Sequence, residues 1–227
     1  DWQIISSLFR FGLPAGFQGI AMNVAGVLLL RFIGALPDSA EAQAVYAVGY
    51  TELFSLITWT SVGLMGATAA LVGQNLGAGK PERSKQAVHT AAKIGLSVAT
   101  TVGVLFLIVP RLLFAAFGMK DEVVVGLGVQ LLRFLSLSGL FITVALVYTG
   151  GLQGSGDTRS PLYITLVAQI AIPLGLCGVL QSMRALQASD VWLAIVLGHA
   201  TRCLLSIARF RQEKWKHIKV EIEPARA

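Results

Sequence analysis

The amino-acid sequence predicts an all-α integral membrane protein built as a six-transmembrane-helix bundle. Three observations carry that expectation. Hydrophobic residues make up 55% of the 227-residue chain and charged residues 13%, whereas a soluble domain is about 25% charged. Mean hydropathy is +0.70, too apolar for a surface covered by polar side chains. Six windows are long and apolar enough to cross a hydrocarbon layer of about 30 Å, which takes about 20 residues, and two glycine-rich segments punctuate them on what should be one side of the membrane.

The elements follow in order. Trp2, Ile4, Ile5, Leu8 and Phe9 among polar neighbours predict an interfacial lead-in helix. The start at Asp1, without the features of a signal peptide, reads as a cut in a longer polypeptide. The six spans are expected at about 12–36, 44–73, 88–110, 123–150, 161–182 and 190–210, the second and fourth being longer than a minimal crossing. Residues 1–210 form the bundle and 211–227 a basic tail. Pro14 and Pro173 lie inside the first and fifth spans. Each frees a backbone carbonyl, which makes it either a packing feature or a hinge.

The first glycine segment, between the second and third spans, runs from Gly73 through Gly77 and Gly79 to Pro81. Gly77 and Gly79 are expected to adopt positive φ and end the second span, and Pro81 to stop its continuation. In the second segment, after the fourth span, Gly154 and Gly156 make the turn tight, Asp157 or Thr158 caps the fifth span, and Pro161 enters its first turn. Both segments are read as elbows and as hinge candidates for bundle motion. The first lacks a GKS or GKT and follows a membrane helix, which argues against a nucleotide-binding loop.

The net charge of +6 reports orientation. Lys80, Arg83, Lys85, Lys93, Arg159, Arg209, Arg211, Lys214, Lys216 and Lys219 fall on one side of an alternating bundle, with Arg10; the other side is near balance. This positive-inside bias predicts a multi-pass membrane protein with both termini cytoplasmic, and the plasma (inner) membrane is the expected location. Basic residues placed between apolar spans do not make a nucleic-acid surface. Cys177 and Cys203 read as small buried apolar side chains. His89, His199 and His217 are scattered without an HExxH motif, and His199 has no acid within a helical turn, so neither an intramembrane enzyme nor a metal site is expected.

Polar residues that lipid should not hold mark the candidate site. Glu52 stands 21 residues before Gly73, about 31 Å along a helix. A carboxyl there is costly unless paired, protonated or hydrated, so it is either a proton- or cation-handling group or a wetted interfacial acid. Arg133, the one cation counted deep within the spans, is a possible partner for it. Gln18, Asn23, Thr143, Tyr148 and Trp59 are substrate-cavity candidates, each with ordinary interhelical bonding or packing as its alternative. Trp59 lies two turns from Glu52 on roughly the same face, which would suit an organic cation. Tyr46 and Tyr50 are candidates for the external aromatic belt.

The run LVGQNLGAGKPERSKQA at 71–87, together with GGLQGSGDTRSP at 150–161 and the Leu13-Pro14 pair, resembles the multidrug and toxic compound extrusion (MATE) family. The likeness extends to about residue 210. It implies a transporter of two six-helix halves exchanging organic compounds against protons or sodium, with no other cofactor. It implies that this chain is the C-terminal half of a twelve-helix protein, whose other six-helix half is missing here. Many bacterial members carry a carboxylate where this chain has Met22, and some carry another near Ile142 and Thr143; both are absent. Glu52 matches an acid of eukaryotic-type members. A lipid-linked oligosaccharide flippase of related architecture is the alternative, ranked second because it would need a more basic cavity.

Overall fold

The computed structural model describes residues 2–218. Lys219 and the rest of the distal tail lie outside them. Six helical rods cross between two ends, one of which carries both glycine segments and is called the loop end below. α1 (Trp2–Ile33) merges the lead-in and the first span into one helix that passes through Pro14. α2 (Ser39–Val45) continues through a π-helical stretch, Tyr46–Leu53, into α3 (Ser55–Gly77) as the second span. α4 (Pro81–Ile108) is the third, followed by the short α5 (Pro110–Ala116). α6 (Glu122–Gly154) is the fourth. α7 (Arg159–Thr165), a second π-helical stretch at Leu166–Ala171 and α8 (Ile172–Met183) make the fifth. α9 (Ala188–Arg211) is the sixth, and a short 3₁₀ turn, Lys214–His217, follows it.

The termini are set by local chemistry. Asp121 caps α6 by accepting hydrogen bonds from the amides of Val123 and Val124 at 2.9 and 3.1 Å. Gln187 and Asp190 form a reciprocal capping box at the start of α9, where Arg184 also meets Asp190 at 2.7 Å. Both glycine segments close by the same Schellman geometry. In the first, Lys80 N–H donates to Asn75 O and Gly79 N–H to Leu76 O, with Gly79 at φ +68°. In the second, Asp157 N–H donates to Leu152 O and Gly156 N–H to Gln153 O, with Gly156 at φ +90°. The left-handed residue is therefore the second glycine of each pair. Gly77 instead ends α3 in helical geometry, and Gly154 ends α6. The cap of the fifth span is Asp157, which accepts from Ser160 N–H at 3.1 Å; Thr158 makes no side-chain cap.

α6 is the axis of the bundle, with 61% of its most apolar stretch buried against 17% for α1. α3, α4 and α9 pack around it, while α1 lies on the flank against the fifth span and α9. Gly128, Gly139 and Gly150 are spaced by eleven residues and therefore share one stripe of α6. A Cβ at Gly128 would meet the Phe114 ring at 2.5 Å, and one at Gly139 would meet Ile57 at 2.7 Å. At Gly150 and Gly154 it would collide with the backbone carbonyls of Met65 and Ala69 on α3. Gly73 faces the same crossing, its Cβ position lying 3.2 Å from the Gly154 carbonyl oxygen. Gly73 and Gly154 thus bring two backbones together, as small residues do where the hydrophobic effect cannot drive helix association. Pro173 stands in the first turn of α8, two residues past the second π stretch, where a missing N–H costs no intrahelical bond. It is buried against Gly198 of α9, where an added Cβ would lie 2.9 Å from the proline ring.

The packed unit runs past residue 210. Trp215 is buried, stacked on Phe210 at 4.6 Å, and donates its indole N–H to the Phe210 carbonyl at 2.8 Å. Glu213 bridges Lys85 and Lys216 at 2.9 and 3.0 Å, and Lys216 reaches Glu82 at 2.7 Å. Lys85 and Lys216 hold the Glu213 carboxyl below its ordinary pKa, and Glu82 with Glu213 raises that of Lys216. The proximal tail is therefore docked on the base of α4.

Candidate functional site

Glu52 sits in the last turn of the first π stretch. That turn is pressed on α6 through Gly49, where a Cβ would come within 2.7 Å of Leu131, and it closes with Phe54 N–H donating to Gly49 O at 3.0 Å. The Glu52 side chain is exposed on this six-span unit and has no hydrogen-bond or ion-pair partner among the described residues. Leu56 and Trp59 continue the same face at 51% and 74% exposure. The pairing with Arg133 does not form: Arg133 is exposed on α6 and meets no carboxylate among the described residues. α1 leaves a second bare face through Leu13, Phe17, Ile20, Asn23 and Val27. The Asn23 amide donates to Gly19 O on its own helix at 3.0 Å.

The other cavity candidates are placed elsewhere. Gln18 is buried, donating to Thr165 Oγ1 at 2.8 Å and accepting from Gln153 at 3.1 Å. It ties α1 to the fourth and fifth spans. Thr143 is buried at 2.8 Å from Ser61 Oγ, tying α6 to α3. Tyr148 lies on the α4–α6–α9 side, edge-on to Phe210 at 5.3 Å and 6.4 Å from His89. Glu52 and Trp59 are thus both exposed on the second span, whereas Gln18, Thr143 and Tyr148 lie elsewhere.

The interior also holds residues that the sequence reading placed wrongly or passed over. Tyr46 and Tyr50 are not a surface belt. Trp192, Tyr46, Tyr50, Phe54 and His199 form an internal aromatic column, successive centroids lying 6.4, 4.9, 5.5 and 5.9 Å apart. His199 Nδ1 is hydrogen-bonded to Ser138 on α6, a partner from another helix that spacing along α9 does not disclose. Three residues further on, Arg202 is a second cation deep within the spans and is 1% exposed. Its Nη1 points at Met22 Sδ, 3.7 Å away, its Nε lacks an acceptor, and no carboxylate pairs with it among the described residues. The signal was legible as an arginine nine residues before the end of the sixth span. Its neighbours were not.

A guanidinium buried without a counterion is expensive. Arg202→Met, which keeps most of the volume, is therefore expected to raise the stability of the complete protein by about 1–4 kcal/mol. The check is thermal unfolding in detergent, and a fall in melting temperature would show that unseen partners satisfy the charge.

The MatE family model matches residues 14–177. A protein named probable multidrug resistance protein NorM, from Deinococcus radiodurans, is 30% identical over 214 residues, which are 91% of this chain and 46% of that protein. Multidrug resistance protein MdtK of Yersinia pseudotuberculosis is 28% identical over 218 residues, 93% of this chain and 46% of that one. Among solved structures, an outward-facing multidrug resistance MATE family transporter of the MOP superfamily superposes with TM-score 0.86 at 19% identity, covering 96% of this chain and 49% of that chain. The eukaryotic MATE transporter AtDTX14 gives TM-score 0.82 at 24% identity, covering 93% and 47%. The chain spans about half the length of the relatives it matches. The six-span bundle with its two glycine elbows, the family match over most of the chain and the shared fold together mean that this chain belongs to the MATE family, a family of transporters and not of enzymes.

Proposed function

We propose that this six-span unit is the C-terminal half of a secondary active exporter of organic compounds, driven by proton or sodium antiport through alternating access. The observation that carries the reading is Glu52, a carboxylate without a partner among the described residues on a face of the second span left bare by its own six helices, with Trp59 exposed seven residues further on. Bare apolar faces on α1 and α3 suit a partner half across a central cavity. An acid there would change its proton or ion occupancy as the cavity opens to water and closes. The basic loop end is assigned to the cytoplasm by charge bias, in the plasma membrane. Arg202 does not favour a flippase, because its guanidinium is sealed inside the unit and lines no open basic cavity.

Glu52→Gln in the full-length protein is expected to abolish ion-coupled efflux while membrane levels stay unchanged. Efflux into everted vesicles under an imposed proton or sodium gradient measures this. Normal gradient-driven transport by the variant would sink the assignment.

A further inference from the structure

We propose that the outer groove between α4, α6 and α9 is a binding site for an anionic phospholipid, its acyl chain laid along the helices and its phosphate held at the loop end. The groove encloses about 450 Å³. Its walls through the membrane are apolar, among them Ala92, Leu96, Phe141, Val144 and Ile207. At the loop end it runs into a smaller recess of about 190 Å³ walled by Lys85, Phe210, Arg211 and Glu213. His89 and Tyr148 wall both spaces, so the two adjoin. The cleft therefore changes from apolar to basic along one helical direction, as a lipid does from chain to headgroup.

Charge selects the headgroup. Lys93 lines the apolar groove and Arg211 the recess, and neither meets a carboxylate among the described residues. The acid in the recess, Glu213, is already matched by Lys85 and Lys216. Two cations without a carboxylate partner among the described residues thus line the cleft. α4 has 28 residues, about 42 Å against a core of about 30 Å. Lys93 is twelve residues into it, so its long stem can lie on the groove wall while its ammonium reaches the headgroup layer. Arg211 offers a planar fork that suits two phosphate oxygens. Tyr148, half-buried between them, presents an amphipathic ring at the level where such rings are favoured. A zwitterionic headgroup would bring a quaternary amine to the same two cations and lose the attraction. A small soluble phosphate would leave the apolar groove empty.

The test uses the complete transporter purified in detergent and titrated with mixed micelles of phosphatidylglycerol or phosphatidylcholine, bound lipid being counted by native mass spectrometry. The expected result is one retained phosphatidylglycerol in preference to phosphatidylcholine. K93Q/R211Q should weaken that preference about 25-fold, from roughly fivefold per basic residue. Val144→Trp, which fills the groove and leaves the charges in place, should also displace the lipid. Persistence of the preference in K93Q/R211Q would overturn the proposal. So would unchanged binding in Val144→Trp, which would reduce the effect to surface attraction, and so would equal retention of soluble glycerol phosphate. Should Val144→Trp fail to fold, Val144→Phe and Ile207→Phe impose smaller, graded obstructions on the same reading. Lipid counting needs no transport, so its outcome is independent of the role given to Glu52.

Discussion

Gly154→Val is expected to destabilise the complete protein by at least about 3 kcal/mol, at the upper end of overpacking penalties. Gly150→Val should do the same. The size follows from what the added atoms meet. At Gly154 a Cβ would lie 2.7 Å from the Ala69 Cα and 2.8 Å from its carbonyl carbon; at Gly150 it would lie 3.0 and 2.9 Å from the corresponding atoms of Met65. These are backbone atoms on a neighbouring helix, and no rotamer change removes them. α3 and α6 would have to separate along the crossing that also carries Gly73. Gly126 on α6 provides the contrast, because a Cβ there meets nothing within 4 Å. Gly126→Ala should gain about 0.5–1 kcal/mol from the lower backbone entropy of alanine. Thermal unfolding of the three variants beside the parent decides the matter. Equal melting temperatures for Gly154→Val and Gly126→Ala would mean that the helices do not approach so closely.

Asp157→Ala is expected to be the next most damaging change and to act at the second elbow. Oδ1 accepts from Ser160 N–H at 3.1 Å. Oδ2 accepts from Ser160 Oγ at 2.8 Å and from Arg209 Nε and Nη2 at 2.9 and 2.7 Å. One carboxylate thus caps the fifth span and ties it to the end of the sixth. The Asp157 side chain is 7% exposed and that of Arg209 26%. A fully buried pair broken on one side costs about 3–5 kcal/mol; partial solvation of Arg209 lowers the expectation here to about 2–3 kcal/mol. A double-mutant cycle of Asp157→Asn with Arg209→Gln isolates the ion pair, since Asn keeps a capping oxygen. A coupling within error of zero would leave Asp157 as a helix cap alone. If the elbow flexes during transport, loosening it should change the transport rate as well as stability.

The sequence was most informative where one physical constraint acted alone. Apolar stretches of sufficient length admit few alternatives to spanning helices, so all six were legible, with ends shifted by up to about seven residues, the third span beginning at Pro81. Gly79, Gly156 and Pro81 mark turns because positive φ and a missing donor are properties of single residues. Cys177 and Cys203 are free and buried, as expected from their apolar surroundings. Glu52 stood out because a carboxylate in such a stretch is costly wherever it points. The two π stretches, Tyr46–Leu53 and Leu166–Ala171, left no comparable mark in the sequence.

By itself, then, the sequence determined the solvent, the number of crossings, the two elbows and the family likeness, because these depend on length, polarity and local backbone chemistry. Only the tertiary structure decided which polar groups are already satisfied. Gln18 and Thr143 found partners on other helices, Tyr46 and Tyr50 turned inward into an aromatic column, and Gly154 proved to be a contact instead of a turn residue. Glu52 was left bare and Arg202 sealed. Helical periodicity says which residues share a face, but the helix opposite that face is chosen by packing between segments far apart in the chain.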